Sequence, residues 1–349
     1  MPRWVIWTVQ RLVVAPAVVG LTVLLWTGLP LWLLGAALLS PFADGWLRPL
    51  RLLWLLVVHL SLETVALVEM LGLWIASGFG LLLRRPWFER VHYDLAQLYL
   101  RIFFREARRV LRLQIRTVGP TPDAHPGEPL LVLSRHAGPG DSFTLMYALM
   151  HWFGREPRVV LKEVIAWDPM VGVLLRRVPS RFIDANPGPG RDVEAEIGAL
   201  ARGLDRDDAF VIFPEGGNFT PERRERAIAR LHRLGLHAMA ERAAEMIHVL
   251  APRPGGVLAA LESAPDADVL LVAHTGLDHV HTVGDVWRAL PMDKRLLMAW
   301  WRVPREEIPT DREAQIEWLY GWWDHIDDWI TEHRPVDLPP VRAHRRQQG

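Results

Sequence analysis

The chain has 349 residues, half of them hydrophobic, with 40 Lys+Arg balanced by 40 Asp+Glu and no cysteine. The missing thiols exclude disulfides, zinc–thiolate sites and a cysteine nucleophile. The formal net charge of zero conceals a local asymmetry, and because lysine occurs only at Lys162 and Lys294, arginine supplies nearly all the positive charge.

The first element is a run of 28 uncharged residues from Leu12 to Leu39. As a helix it would be ~42 Å long, more than the ~30 Å hydrocarbon core of a bilayer. Pro16 and Pro30 are the points at which it would shorten or kink. A cleaved signal peptide is the competing reading, but its apolar region would be only about 7–15 residues long. The second apolar segment, Leu52 to Leu83, is interrupted by His59, Glu63 and Glu69. Either its glutamates face the first helix or it lies partly in the interface. With Asp44-Gly45 as the turn, the two read as a helical hairpin. Arg3 and Arg11 precede it and Arg84, Arg85 and Arg90 follow, which places both ends, and the domain beyond, on the cytoplasmic side.

Between Arg84 and Arg116 nine arginines face three acids, and residues 98–112 combine helical apolar spacing with five of those arginines. A helix lying on anionic headgroups and a solvated helix packing its apolar face on its own domain both fit. A nucleic-acid surface is not expected, because the basic stretch directly follows membrane-length segments.

Short apolar runs then alternate with helical patterns. Strands are expected at 113–118, 130–133, 158–161, 180–183, 209–213 and 269–273, the last obvious core strand. Helices are expected at 141–152, from the end of the third strand to about Leu175, at 193–204 and at 221–235. Residues 119–129 and 184–190 are Pro/Gly-rich loops, and the tail after Pro335 is polar. The alternation predicts a layered α/β domain, a central sheet flanked by helices, with active residues on loops leaving strand ends. The expected division is a membrane hairpin over 1–84 (12–39 and 52–83), one domain over 85–334 and a tail over 335–349.

Two strand-exit loops could hold chemistry. In Ser134-Arg-His-Ala-Gly-Pro-Gly-Asp141, Asp141 can fold back on His136, fixing its tautomer and leaving the other ring nitrogen as a base. This is two thirds of a serine-hydrolase triad with no serine in a nucleophile elbow, so the nucleophile could be a substrate hydroxyl. Alternatively Asp141 merely caps the next helix. In Phe213-Pro-Glu-Gly-Gly-Asn218, Glu215 beside Gly216 and Gly217 offers a carboxylate and open backbone N–H groups to a polar ligand, or is simply a turn with an exposed glutamate.

Together, H-x4-D at 136–141 and Phe-Pro-Glu-Gly at 213–216, behind a membrane hairpin, resemble the glycerolipid acyltransferases, which move a fatty acyl chain from a thioester to a lysophospholipid or glycerol-phosphate hydroxyl. The likeness runs from about residue 85 to 330. Arg181-Phe-Ile-Asp resembles the family's second block, and Val249-Leu-Ala-Pro252-Arg253 the fourth, in the branch with a longer C-terminal region. Two departures stand out. Ala185 and Asn218 occupy places where the family usually has arginine, so Arg191 is the expected phosphate ligand, with Arg181, Arg223 or Arg224 as compensating cations. The acceptor headgroup is the property these departures bear on most.

The resemblance implies a membrane O-acyltransferase of phospholipid biosynthesis. Its catalytic pair would be His136 and Asp141, and its substrate-binding residues Glu215, Gly216, Gly217, Arg191, Arg181, Lys162, Pro252 and Arg253. Acyl-CoA or acyl-carrier protein would be co-substrate and 1-acylglycerol-3-phosphate the foremost acceptor, with no resident cofactor or metal. Lys162 reads equally as a phosphate ligand or a lone surface cation. His274, His279 and His281 lack an accompanying carboxylate ligand pattern, so no metal site is expected there. Most of the 17 tryptophans, including Trp300-Trp301 and Trp322-Trp323, are expected to pack cores, with interfacial anchoring as the other role. Two other functions fit the same residues: a hydrolase passing the acyl group to water, and a non-enzymatic lipid-binding scaffold.

Overall fold

The computed structural model describes residues 3–43, 45–119, 128–183, 192–278, 280, 282–290 and 292–335. The helices in chain order are α1 (Arg3–Val9), α2 (Ala15–Thr27), α3 (Leu29–Leu39), α4 (Arg48–Ala76), α5 (Pro86–Leu111), α6 (Pro139–His151), α7 (Pro169–Leu174), α8 (Val193–Ala201), α9 (Pro221–Arg233), α10 (His237–Glu245), α11 (Pro254–Ser263), α12 (Val283–Ala289) and α13 (Arg312–His333). The strands are β1 (Gln114–Thr117), β2 (Leu130–Ser134), β3 (Glu156–Lys162), β4 (Ser180–Ile183), β5 (Asp208–Ile212), β6 (Asp268–Thr275) and β7 (Arg295–Val303). They fall into two compact units that do not follow a boundary at residue 84. One comprises 1–114, 146–193 and 283–294, the other 115–145, 194–282 and 295–349.

In the first unit the long apolar run breaks where its prolines and glycine lie. A π-helical turn, Gln10–Val14, leads into α2, which has Pro16 in its first turn; the wider turn accommodates a residue with no N–H to donate. A second break at Gly28, two residues before Pro30, ends α2 and starts α3. The helices of membrane length are therefore Val5–Thr27 and Arg48–Ala76, rather than 12–39 and 52–83. The expected turn residue Asp44 lies outside the described residues. Glu63 is buried and accepts the Met170 N–H at 3.2 Å, so it faces α7. Gln10 reaches the Asp168 carbonyl and accepts from Arg176. Arg177 donates to the Met70 carbonyl at 2.7 Å, and Arg48 to the carbonyl of Leu290. The N-terminal helices are thus tied by side chains to residues 168–177 and 288–290.

Helix α5 buries Phe88, Tyr99, Phe104 and Ala107 on one face and packs against α4, while Arg101, Arg105, Arg108 and Arg109 remain exposed. Glu89 in its first turn and Arg108 and Arg109 in its last complement the helix dipole. The parallel pair β3–β4, in register Val159↔Ser180 to Lys162↔Ile183, completes what positions candidate residues in this unit.

The second unit is built on strands in the order β1-β7-β6-β2-β5. β2 pairs parallel with β5 and β6, and β7 runs antiparallel to β6. β2 and β5 are buried along their whole length, which matches runs without polar alternation. α13 packs on β6 and α11 and inserts Trp323, while Trp300 of β7 is also buried. Trp301 meets Trp322 at 6.2 Å between centroids. Two of these four tryptophans are therefore core, and the other two pack on each other.

Candidate functional site

β2 ends at Ser134, and α6 begins at Pro139, so His136 sits in the short connection between a buried strand and a helix. The imidazole is partly exposed and lies 4.6 Å from the Phe213 ring, centroid to centroid. Its backbone is held at both ends: the His136 N–H donates to Glu215 Oε1 at 2.9 Å, and the His136 carbonyl accepts the Phe219 N–H at 2.8 Å. Asp141 lies in the first turn of α6; its side chain is outside the described residues.

Glu215 has an unexpected setting. It is 2% exposed, and its second oxygen accepts the Leu250 N–H at 3.0 Å. One buried carboxylate therefore braces the His136 loop and the 247–250 segment together, and charge-assisted bonds of this kind are the strong ones. The turn beneath it closes with the Gly216 N–H on the Phe213 carbonyl at 3.0 Å. Gly216 has φ +67, and a Cβ there would sit 3.0 Å from the guanidinium carbon of Arg253. Arg253 in turn donates its backbone N–H to the Pro214 carbonyl at 2.9 Å. Gly217 and Pro252 are buried. Arg253 keeps an exposed surface, while partial desolvation of its guanidinium, and then the charge of Arg230, lower its pKa.

Three supporting residues carried no signal as isolated letters. Arg135, 1% exposed, pairs with Asp278 at 2.6 Å and donates to the carbonyls of His274 and His248. Burial alone would raise the Asp278 carboxyl, but Arg135 and the Gly276 N–H hold it well below the usual carboxylate range. Asp327, on α13, accepts the N–H groups of Ile247, His248 and Val249 at 2.6–3.1 Å. Only the fold brings position 327 to a loop 80 residues earlier, so no local pattern marks it.

Of the expected binding residues, His136, Glu215, Gly216, Gly217, Pro252 and Arg253 belong to the second unit, and Glu215 and the 213–216 turn join them. Lys162 ends β3 and Arg181 lies on β4, in the first unit. Arg191 lies outside the described residues. The compensating candidates Arg223 and Arg224 have carbonyl partners, Asn218 for the first and Met246 and Ala244 for the second. Among the described residues no group of three or more His, Asp or Glu could hold a metal ion; His279 and His281 lie outside them.

Residues 114–253 match the family model Acyltransferase. A solved structure, the 1-acyl-sn-glycerophosphate (LPA) acyltransferase PlsC from Thermotoga maritima, is similar at a TM-score of 0.46 and 14% identity, covering 78% of this chain and 97% of that one. No curated protein matches the chain.

Proposed function

We propose, for a chain whose residues 114–253 belong to the acyltransferase family, transfer of a fatty acyl group from an acyl-CoA or acyl-carrier-protein thioester to a lysophospholipid hydroxyl. The foremost acceptor is 1-acylglycerol-3-phosphate, giving phosphatidate. The observation that supports this reading is the double clamp on the His136 backbone by Glu215 and Phe219, which presents a partly exposed imidazole from an otherwise buried strand end. Such preorganisation is what general-base chemistry requires.

In the proposed step, a ring nitrogen of His136 takes the acceptor hydroxyl proton as the oxygen attacks the thioester carbonyl. Asp141 orients the ring and stabilises the imidazolium. The tetrahedral intermediate collapses with loss of thiolate, which recovers the proton from His136; the C–O bond replaces the C–S bond. Backbone N–H groups of residues 138–140 are the candidate oxyanion donors. Glu215 acts as a brace of the site. Arg253, docked on Gly216 beside the His136 loop, takes the acceptor phosphate together with Arg191, and Arg181 and Lys162 are further phosphate candidates. The helices Val5–Thr27 and Arg48–Ala76 hold the enzyme in the membrane, with its catalytic domain on the cytoplasmic side.

The test uses purified protein in detergent, offered palmitoyl- or oleoyl-CoA with a panel of lysolipids and read by mass spectrometry. Acceptor-dependent formation of a diacyl lipid, abolished in a folded His136→Ala variant, is expected. Equal release of free fatty acid with and without lysolipid would instead identify a hydrolase.

A further inference from the structure

The hairpin of α9 and α10 has no role in the chemistry above, yet its tip is unusual for a protein surface. No residue of α9 is buried. The helix ends at Gly235, which has φ +73, in a Schellman turn: the Leu236 N–H bonds the Leu231 carbonyl and the Gly235 N–H that of His232, both at 3.0 Å. That cap requires only the glycine. The residues on either side of it are Leu234, 60% exposed, and Leu236, 41% exposed, so the apex of the hairpin presents two leucines to solvent.

Charge is arranged around that apex. The acids of α9, Glu222 and Glu225, lie in its first half, and no acid occurs from Arg226 to Ala240. Arg226, Arg230 and Arg233 recur at i, i+4 and i+7 on one face, and His232 and His237 lie at the turn with their Nδ1 atoms 3.4 Å apart. Cations in a last turn offset the helix dipole within that turn; this does not account for Arg226, nor for the leucines. An exposed apolar tip with cations along the adjoining helix face matches a layer that is anionic outside and apolar beneath. A rigid protein partner would need a complementary socket, whereas headgroups yield to a convex tip.

We infer that the α9–α10 turn is an interfacial contact for anionic phospholipid, with Leu234 and Leu236 at acyl-boundary depth and Arg226, Arg230 and Arg233 on the phosphates. It holds whether or not the chain transfers acyl groups, and its test reads no turnover.

The chain lacks cysteine, so single sites can be labelled without background. Leu234→Cys, carrying an environment-sensitive nitrobenzoxadiazole, is reconstituted as the full chain in vesicles of phosphatidylcholine alone or with phosphatidylglycerol. Glu262→Cys on α11 is the control. Site 234 should brighten and be quenched by shallow spin-labelled lipid only in the anionic vesicles, while site 262 stays water-like. Replacing Arg226 and Arg233 by glutamine should shift the docking equilibrium by about thirtyfold toward the undocked state. Emission at 234 that is water-like in both vesicles overturns the inference. So does a response that appears only on adding an acidic carrier protein, or one that is indifferent to the two arginines.

Discussion

Glu215 accepts N–H groups from His136 and Leu250, segments more than a hundred residues apart, and a glutamine in its place has only one oxygen to offer. Glu215→Gln should therefore leave one buried donor unsatisfied and lower stability by about 2 kcal/mol, measured by urea unfolding. Because one of the two donors is the backbone N–H of His136, the proposed base, loss of that bond should lower kcat at least about tenfold by the same energy, with little change in the thioester KM. Unchanged stability would show that the carboxylate is not a brace. His248 makes a second residue-scale prediction. Burial, then the charges of Arg334 and Arg135, lower its pKa to about 4, so the folded state favours the neutral ring. Between about pH 4 and the unfolded value of about 6.5 the unfolded chain binds the extra proton, and stability must rise with pH across that window. The contribution is fully present above pH 6.5 and lost as pH falls to 4. The gap in stability between the wild type and His248→Gln should show that slope; a pH-independent gap would refute it.

The 213–216 turn is the element on which the candidate site depends, and its sharpest requirement is at Gly216. Alanine there would adopt a left-handed conformation, a strain of about 1–2 kcal/mol, and would press on the Arg253 guanidinium. Gly216→Ala should raise the KM for a phosphate-bearing lysolipid more than the KM for acyl-CoA; equal effects would detach Arg253 from acceptor binding. The elements with strong local signals were readable in sequence. β2, β5 and β6 each contain an uninterrupted apolar run, 130–133, 209–212 and 269–273, and the helix expected at 221–235 is α9 with its Schellman turn. β7 was missed, although five of its nine residues are buried. Its Leu-Leu-Met-Ala-Trp-Trp core has no β-branched residue and no alternation, so neither period marks it. The candidate loop at 134–141 stood out in sequence because strand end, histidine and glycines are adjacent in the chain. Arg135, Asp278 and Asp327 did not, because their meaning lies in partners some 80 to 143 residues away.

At the scale of the whole molecule, the sequence showed an apolar N-terminus but not how it joins the rest. A hairpin ending at residue 84 reads as a detachable anchor, whereas α4 bonds to Met170 and Arg177 and α5 to Pro157 and Met150. Truncation tolerance follows burial and hydrogen bonding of what is cut. A chain of residues 85–349 should thus aggregate when expressed without detergent, as read by size-exclusion chromatography; a soluble monomer retaining acyl transfer would contradict this. Arg48 also depends on carbonyls at Arg288 and Leu290, and Met292 donates to the Leu111 carbonyl. During synthesis, residue 283 follows residue 114 by 169 positions, a delay on the order of ten seconds or more at ribosomal speed. Throughout that interval the nascent helices await neighbours that have yet to be translated. Lipid or a chaperone must shelter those faces meanwhile, which makes that interval a vulnerable step in this protein's biogenesis.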